Sequence, residues 1–306
     1  MKILFLGNSN FLKNRIKSTV EKNKNFNYII ASKTSEIDNK TIFFNNYIKA
    51  LESKEFDLVY ITLINALHYK IAKKALELGL HVVVDKPLAL SAKKSLTLLN
   101  IAKKKKVLLS EAVIFNYHKL FKHIYKLTNR SEKLYKVDAV FKIPKKINKY
   151  DHKKKLDCLS DMSSYAASMQ RIFFNNKIIK KKIYFENKKD LKIIKNFHIQ
   201  LQYKNNKFFN GYFAYEREYE SSIKIFCNKF TIKVPFQAFA LKPHRNYNLE
   251  IMSKNKIKKI KFKDDNLLNY LKKIKGSIDK NNFNFFYDCI ERDVKTKKNL
   301  NLFNEK

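Results

Sequence analysis

The sequence predicts an α/β protein in two parts. Residues 1–118 should form a doubly wound parallel sheet, and residues 119–306 an α+β domain built on an open, mostly antiparallel sheet. Three observations lead there. Short apolar runs alternate with helical patterns through the first 118 residues at the spacing of βαβ units. Beyond that point long runs rich in aromatic and β-branched residues take over, several of them alternating apolar with polar. Finally, 306 residues at 45% apolar content can bury a sizeable core and suit about two domains.

In the first part Lys2–Leu6 reads as an apolar strand, followed by a turn at Gly7 and a helix to about Lys22. Tyr28–Ala31 is a second strand and Leu58–Ile61 a third, buried one. Ile71, Ala72, Ala75 and Leu76 fall on one face of a helix over His68–Leu78, which Gly79 should terminate. His81–Val84 is a fourth strand, Ser91 caps a helix to about Lys105, and Val107–Leu109 is a fifth strand. In the second part strands are expected at Tyr135–Ile143, Ile178–Phe185, Phe197–Tyr203, Phe208–Tyr215, Ser222–Val234, Asn248–Met252 and Ile257–Phe262. Asn205–Asn206 suits a hairpin turn. Helices are expected at Cys158–Phe174, Asn266–Ile274 and Asp279–Asp293.

The charge is strongly basic: 65 Lys plus Arg against 27 Asp plus Glu, a formal net charge of +38. Residues 1–118 carry 20 cations and 9 acids, the remainder 45 and 18, so no basic arm stands apart. Only six cations are Arg, the better residue for phosphate and base contacts, and no nucleic-acid recognition motif is present. Abundant Lys, Asn, Ile, Phe and Tyr with four Gly, four Pro and no Trp suggests A+T-rich coding DNA instead. No run nears the roughly 18 apolar residues of a membrane span, and the start lacks a secretory signal, so a cytoplasmic protein without membrane or nucleic-acid partners is expected. Cys158, Cys227 and Cys289 lie far apart and odd in number, which supports neither disulfides nor a metal site.

Gly7 opens the turn G-N-S-N-F-L, where a dinucleotide-binding turn would read G-x-G-x-x-G or G-x-G-x-x-A. Ser9 stands where a missing Cβ admits pyrophosphate, and Leu12 where a small residue packs helix on strand. A plain βα turn is the alternative, although a helix N-terminus after Gly7 would still suit phosphate. The second strand ends in Ser32-Lys33-Thr34, with no acid to bind ribose hydroxyls; a cation with hydroxyls would suit a 2′-phosphate, and an ordinary polar loop is the alternative.

The segment from Asp57 to Ala89 carries the strongest pattern. Asn65 and His68 follow a strand, Ala75-Leu76, Gly79 and His81-Val82 mark a helix-to-strand passage, and Asp85-Lys86-Pro87-Leu88-Ala89 closes it. This resembles the Gfo/Idh/MocA oxidoreductases, whose pattern is T-P-N-x-x-H, A-L-x-x-G-x-H-V, then E-K-P-L-A, with Ile64 replacing Pro and Asp85 replacing Glu. Ser110-Glu111-Ala112 through Tyr117 resembles the family's E-A-x-x-x-R-Y, with Asn116 for Arg. Cys158 through Tyr165 resembles G-A-L-x-D-x-G-x-Y/H, with Asp161 and Tyr165 matching and Ser163 for Gly.

The resemblance implies a Rossmann-like domain binding NADP or NAD through Gly7, Asn8, Ser9, Asn10, Phe11, Ser32, Lys33, Thr34, Thr62, Asn65, His68, Asp85 and Lys86. It implies Lys86, Asp161 and Tyr165 as the catalytic set, with no metal: the lysine reaches the oxygen on the reacting carbon, the aspartate orients substrate and the tyrosine relays the proton. Lys86 leaves a buried strand at the sheet's carboxyl edge, and Asp161 and Tyr165, four apart, share a helix face. An ammonium near a phenol favours proton transfer near neutrality. His68 and His81 also read as structural, and His244 either touches a phosphorylated sugar or lies in an ordinary loop. The expected reaction moves hydride between nicotinamide and a sugar, cyclitol or nucleotide-linked sugar, with self-association through the second sheet. A relative with a decayed cofactor site is the rival, given the lost glycines, and a basic nucleic-acid-binding protein a remote one.

Overall fold

The computed structural model describes residues 1–9, 12–32, 46–130, 134–145, 157–174, 177–188, 193–254 and 256–303. The chain forms two compact units, Met1–Val113 with Tyr270–Lys306, and Ile114–Asn269. This differs from a break at residue 118. The chain changes unit about five residues earlier, and its closing helices return to the first unit.

In the first unit, β1 (Lys2–Leu6), β2 (Asn27–Ala31), β3 (Leu58–Ile61), β4 (Val82–Asp85) and β5 (Leu109–Ala112) form a sheet of order β2-β1-β3-β4-β5. Every pair is parallel. β1 and β3 are buried almost throughout, as strands covered on both faces must be. After β1 the chain forms a π-helical turn (Leu12–Ile16) before α1 (Lys17–Glu21), where one continuous helix was expected. α2 (Tyr47–Glu52) has no counterpart among the elements expected from sequence. α3 (Asn65–Glu77) ends where Gly79 adopts a φ of 77°, and α4 (Ala92–Lys105) is capped by Ser91, whose Oγ accepts from the Lys94 amide at 3.2 Å.

Two further helices complete this unit. α7 (Asn266–Asp279) contains the boundary between units, and α8 (Asn284–Asn299) packs on α4 and β5. The Tyr270 hydroxyl donates to Ser110 Oγ at 2.7 Å, and the Tyr287 hydroxyl donates to the Val107 carbonyl at 2.6 Å. Lys297, with a side chain 1% exposed, lies 3.7 Å from the Glu111 carboxylate, itself 7% exposed.

The second unit opens with a 3₁₀ turn (Phe115–Tyr117) and α5 (Lys119–Arg130). Its eight strands are β6 (Leu134–Ile143), β7 (Ile178–Lys188), β8 (Ile193–Tyr203), β9 (Lys207–Tyr215), β10 (Glu220–Cys227), β11 (Thr231–Val234), β12 (Asn246–Ser253) and β13 (Lys256–Lys263). Their order is β13-β12-β11-β10-β6-β9-β8-β7, antiparallel except for the central β6–β9 pair. The run Ser222–Val234 is two strands joined at residues 228–230 rather than one. Asn205 and Asn206, at φ 68° and 53°, make the expected hairpin turn. Helix α6 (Cys158–Phe173) packs on β8 and β9. Phe197, Ile199, Phe209 and Phe213 form the buried core of this sheet. Among the described residues no helix is long and apolar enough to cross a membrane.

Candidate functional site

The order β2-β1-β3-β4-β5 puts a topological switch between β1 and β3, where the chain turns to opposite faces and ligands of doubly wound sheets bind. The loops leaving the carboxyl ends of these strands are tied together by short-range geometry. Gly7 has a φ of 102°, and a Cβ there would lie 3.0 Å from Leu63 Cδ2 and 3.2 Å from Thr62 Oγ1, so the first glycine is required by backbone and by crowding. The buried Thr62 hydroxyl donates to the Leu6 carbonyl at 3.1 Å, joining β3 to β1.

Ser9 does more than intrude a side chain. Its Oγ accepts from the Leu12 amide at 3.2 Å, satisfying a donor at the start of the helical turn as a cap does. Leu12 is 1% exposed, so the position that a small residue would occupy holds a core side chain at the head of the π-helical turn. Asn8 is half-buried and Ser32 is buried at the end of β2. Asn10, Phe11, Lys33 and Thr34 lie outside the described residues.

After β3, Ile64 occupies the N-cap of α3 at φ −67° and ψ 146°, the backbone that proline would have imposed, and supplies no side-chain cap. The helix therefore begins without a side-chain cap, at the positive end of its dipole, with the Leu67 amide donating to the Ile64 carbonyl at 2.9 Å. Asn65 follows, 9% exposed, and its Nδ2 is without a hydrogen-bond partner. A buried amide donor beside an uncapped helix start suits a polar ligand group. His68 is spoken for: its Nδ1 lies 2.7 Å from the Pro87 carbonyl and its Nε2 2.8 Å from the Leu63 carbonyl, so the ring pins the loop after β4 to the loop after β3. A direct cofactor contact by its nitrogens does not fit that arrangement, and its structural reading does. His81 is structural too. Its Nδ1 accepts from the Leu108 amide at 3.0 Å, and burial lowers its pKa.

β4 ends at Asp85, whose Oδ1 accepts from the Lys86 amide at 2.9 Å; both side chains are half-buried at the carboxyl edge of the sheet. Gly7, Thr62, Asn65, His68, Asp85 and Lys86 thus all belong to the carboxyl-edge loops and helix starts of one unit.

Asp161 and Tyr165 belong to the second unit, on α6. Asp157 starts this helix in a capping box, its Oδ1 accepting from the Ser160 amide at 2.7 Å. The Tyr165 ring sits among Phe141, Phe239 and Phe115, with centroids 5.3, 5.4 and 6.0 Å away. Asp161 has a partner that sequence reasoning missed: the Tyr215 hydroxyl donates to its Oδ2 at 2.7 Å. Burial, followed by the Asp161 charge, pushes the Tyr215 phenol well above its ordinary pKa, so it remains a donor. The Cys158 thiol is likewise raised, chiefly by burial and next by Asp161. The signal for Tyr215 was its parity in β9 with the buried Phe209 and Phe213, which faces it toward α6. His244 carries a half-exposed ring 3.9 Å from Asp265 in a loop. Among the described residues no group of three His, Cys, Asp or Glu could hold a metal ion.

Fold and site geometry together define the first unit as a dinucleotide-type α/β domain of the Rossmann class. Residues 1–113 match the model of the Gfo/Idh/MocA oxidoreductase family, an NAD-binding Rossmann fold. Two curated relatives are dTDP-3,4-didehydro-2,6-dideoxy-alpha-D-glucose 3-reductases. The one from Saccharopolyspora spinosa is 34% identical over 100 residues, 32% of this chain and 30% of that protein. The one from Streptomyces violaceoruber is 36% identical over 75 residues, 24% of this chain and 22% of that protein. The matched stretch thus spans less than a third of either relative. Over nearly the full chain the fold is that of a 3-ketoreductase from Actinomadura kijaniata, solved with NADP and TDP-benzene: TM-score 0.89, 15% identity, 99% of this chain and 97% of that one. UDP-N-acetylglucosamine 3-dehydrogenase from Acidithiobacillus ferrooxidans is also similar, with TM-score 0.77, 14% identity and 98% and 96% coverage. At such identities the likeness is one of fold.

Proposed function

We propose that the protein is an NADP(H)-dependent oxidoreductase that transfers hydride to or from a carbonyl or carbinol carbon of a nucleoside-diphosphate-linked sugar. The observation that carries the cofactor half is the partnerless buried amide of Asn65 at the uncapped start of α3, next to the glycine turn at the switch point. Gly7 would admit the dinucleotide backbone, with Asn8 and Ser9 in the same turn. The α3 amides and Asn65 would bind its polar groups, and Ser32, Lys33 and Thr34 favour a 2′-phosphate over bare ribose hydroxyls. Thr62, His68 and Asp85 would act by holding the loops. The bound nicotinamide supplies or accepts the hydride. Support for the substrate class comes from the relatives, two of which act on dTDP-linked keto sugars and one of which binds TDP-benzene.

Within this reading Lys86 polarises the reacting oxygen, Tyr165 relays its proton, and Asp161 orients a neighbouring hydroxyl. The aromatic surround of Tyr165 excludes water from the phenol's ring and suits the apolar face of a sugar. Cofactor binding is tested by titrating the protein with NADPH and NADH while following nicotinamide fluorescence. NADPH should bind at least as tightly as NADH, and Lys33→Glu should weaken NADPH selectively; no binding of either at millimolar concentration refutes the proposal. With dTDP-3,4-didehydro-2,6-dideoxy-α-D-glucose as substrate, Lys86→Ala should lower kcat by roughly 10²–10³, the scale of one aimed donor, while NADPH affinity stays within a few fold.

A further inference from the structure

We infer that Tyr215 is a positioning residue: by donating to Oδ2 of Asp161 it fixes the rotation of that carboxylate, and with it the direction in which Asp161 accepts from a substrate hydroxyl. This assignment rests on the function proposed above. It also separates the duties of the two residues on α6, because a carboxylate held by a permanent donor is kept as an acceptor, and the proton is left to Tyr165.

The geometry comes from three elements. Asp161 lies in the first turn of α6, where the helix dipole and the Asp157 cap hold the backbone in register. Tyr215 is the last residue of β9 and pairs in register with Ile143 of β6, so its Cα is fixed by the centre of the sheet. The phenol is fully buried, and its 2.7 Å bond to Asp161 Oδ2 has the length of a charge-assisted contact. Lys145, following β6, places its Nζ 4.8 Å from the Tyr215 ring centre, which holds the ring from its face. Among the described residues the charged and titratable groups around the pair include Asp157 at the N-cap of α6, Cys158 in its first turn and Lys145 after β6. The two aspartates and the thiol disfavour a second negative charge on the phenol, so the shared proton stays on Tyr215 and the negative charge on Asp161.

A carboxylate bound by such a donor cannot rotate freely about its χ2. Its lone pairs then point in set directions, and this distinguishes a sugar hydroxyl on one ring carbon from its neighbour. Tyr215→Phe keeps the ring, its burial and the lysine contact while removing only the donor.

The test has a substrate-free arm and a kinetic arm. Full-length protein labelled with ¹³C at aspartate side-chain carboxyls is titrated by NMR, with Asp161→Asn assigning the Asp161 signal. Tyr215→Phe should raise the midpoint of that signal by about one pH unit, the shift expected on losing a hydrogen bond to a charged group. 3-Fluorotyrosine at position 215, a stronger donor that leaves packing intact, should lower it. In the kinetic arm, NADPH oxidation with dTDP-3,4-didehydro-2,6-dideoxy-α-D-glucose should show roughly a tenfold lower kcat for Tyr215→Phe. KM for NADPH should not change, and adding Tyr215→Phe to Asp161→Asn should cost nothing further. An Asp161 midpoint unmoved by both substitutions overturns the inference. So does a moved midpoint with undiminished turnover in Tyr215→Phe while Asp161→Asn is impaired. If the midpoint moves but the unsubstituted protein neither binds NADPH nor turns over, the function proposed above is what has failed, and the positioning role falls with it.

Discussion

Replacing Gly7 by alanine separates two costs that usually arrive together. At φ 102° an L side chain is strained, and the added Cβ would meet Leu63 Cδ2 at 3.0 Å, Thr62 Oγ1 at 3.2 Å and the Thr62 carbonyl at 3.3 Å. The conformational part is of order 1–3 kcal/mol. Crowding adds about 1 kcal/mol, because Leu63 can yield at the end of its side chain whereas the Thr62 carbonyl belongs to the backbone leaving β3. Two other glycines serve as references. Gly79, at φ 77° and with nothing within 4 Å of an added Cβ, carries the conformational part alone. Gly276, inside α7 and equally uncrowded, carries neither, so Gly276→Ala should stabilise by about 0.5–1 kcal/mol. Urea denaturation of the three variants should therefore rank Gly7→Ala below Gly79→Ala, with Gly276→Ala above the unsubstituted protein. NADPH titration should show weakened binding in Gly7→Ala alone. If Gly7→Ala costs no more than Gly79→Ala, the close approach of β1 and β3 at the switch point is wrong.

Removing one member of the buried Lys297–Glu111 pair, as in Lys297→Met, should cost about 3–5 kcal/mol in chemical denaturation; Lys297→Met with Glu111→Gln should recover most of it, and a cost below about 1 kcal/mol for the single change would show that the pair is not buried. Burial lowers the pKa of both His81 and His118, so the unfolded chain binds more protons than the fold as pH falls through the ordinary histidine range near 6.5. Their contribution to stability is intact above that value and is lost below it. Unfolding free energy measured from about pH 8 to 5 should fall on the acid side, and His81→Gln with His118→Gln should flatten that slope; an unchanged slope refutes the assignment.

Strand order in the first unit was legible because each buried strand is a local apolar run, and α3 and α4 because each is a local periodicity, whereas the short α2 was not. Ser91 and Gly79 marked helix ends for reasons contained in the residues themselves, a capping hydroxyl in one and the missing Cβ that permits a positive φ in the other. What escaped depends on contacts between distant segments. Tyr215 meets Asp161 across 54 residues, and parity in β9 gives its face but not its partner. Ser222–Val234 read as one strand because the turn at 228–230 has no glycine or proline to announce it. Lys297 looked like one more solvated lysine in a chain of 65 cations, and only its approach to Glu111 sets it apart. His68 sat in a motif that suggested a ligand, yet the two carbonyls that occupy its ring come from the loops after β3 and β4.

The return of residues 270–306 to the first unit has a consequence for the newly made chain. β1 to β5 leave the ribosome first, yet α8, which covers α4 and β5 and brings Lys297 to Glu111, follows only after all of residues 114–269. At about 5–20 residues per second the apolar flank of β5 waits on the order of ten seconds or more for its cover. The inserted unit has its own delay, since β6 must hold its place until β9 and β10 arrive to flank it. The nascent first unit is therefore a stretch where a chaperone, or a neighbouring copy on the same messenger, has time to act.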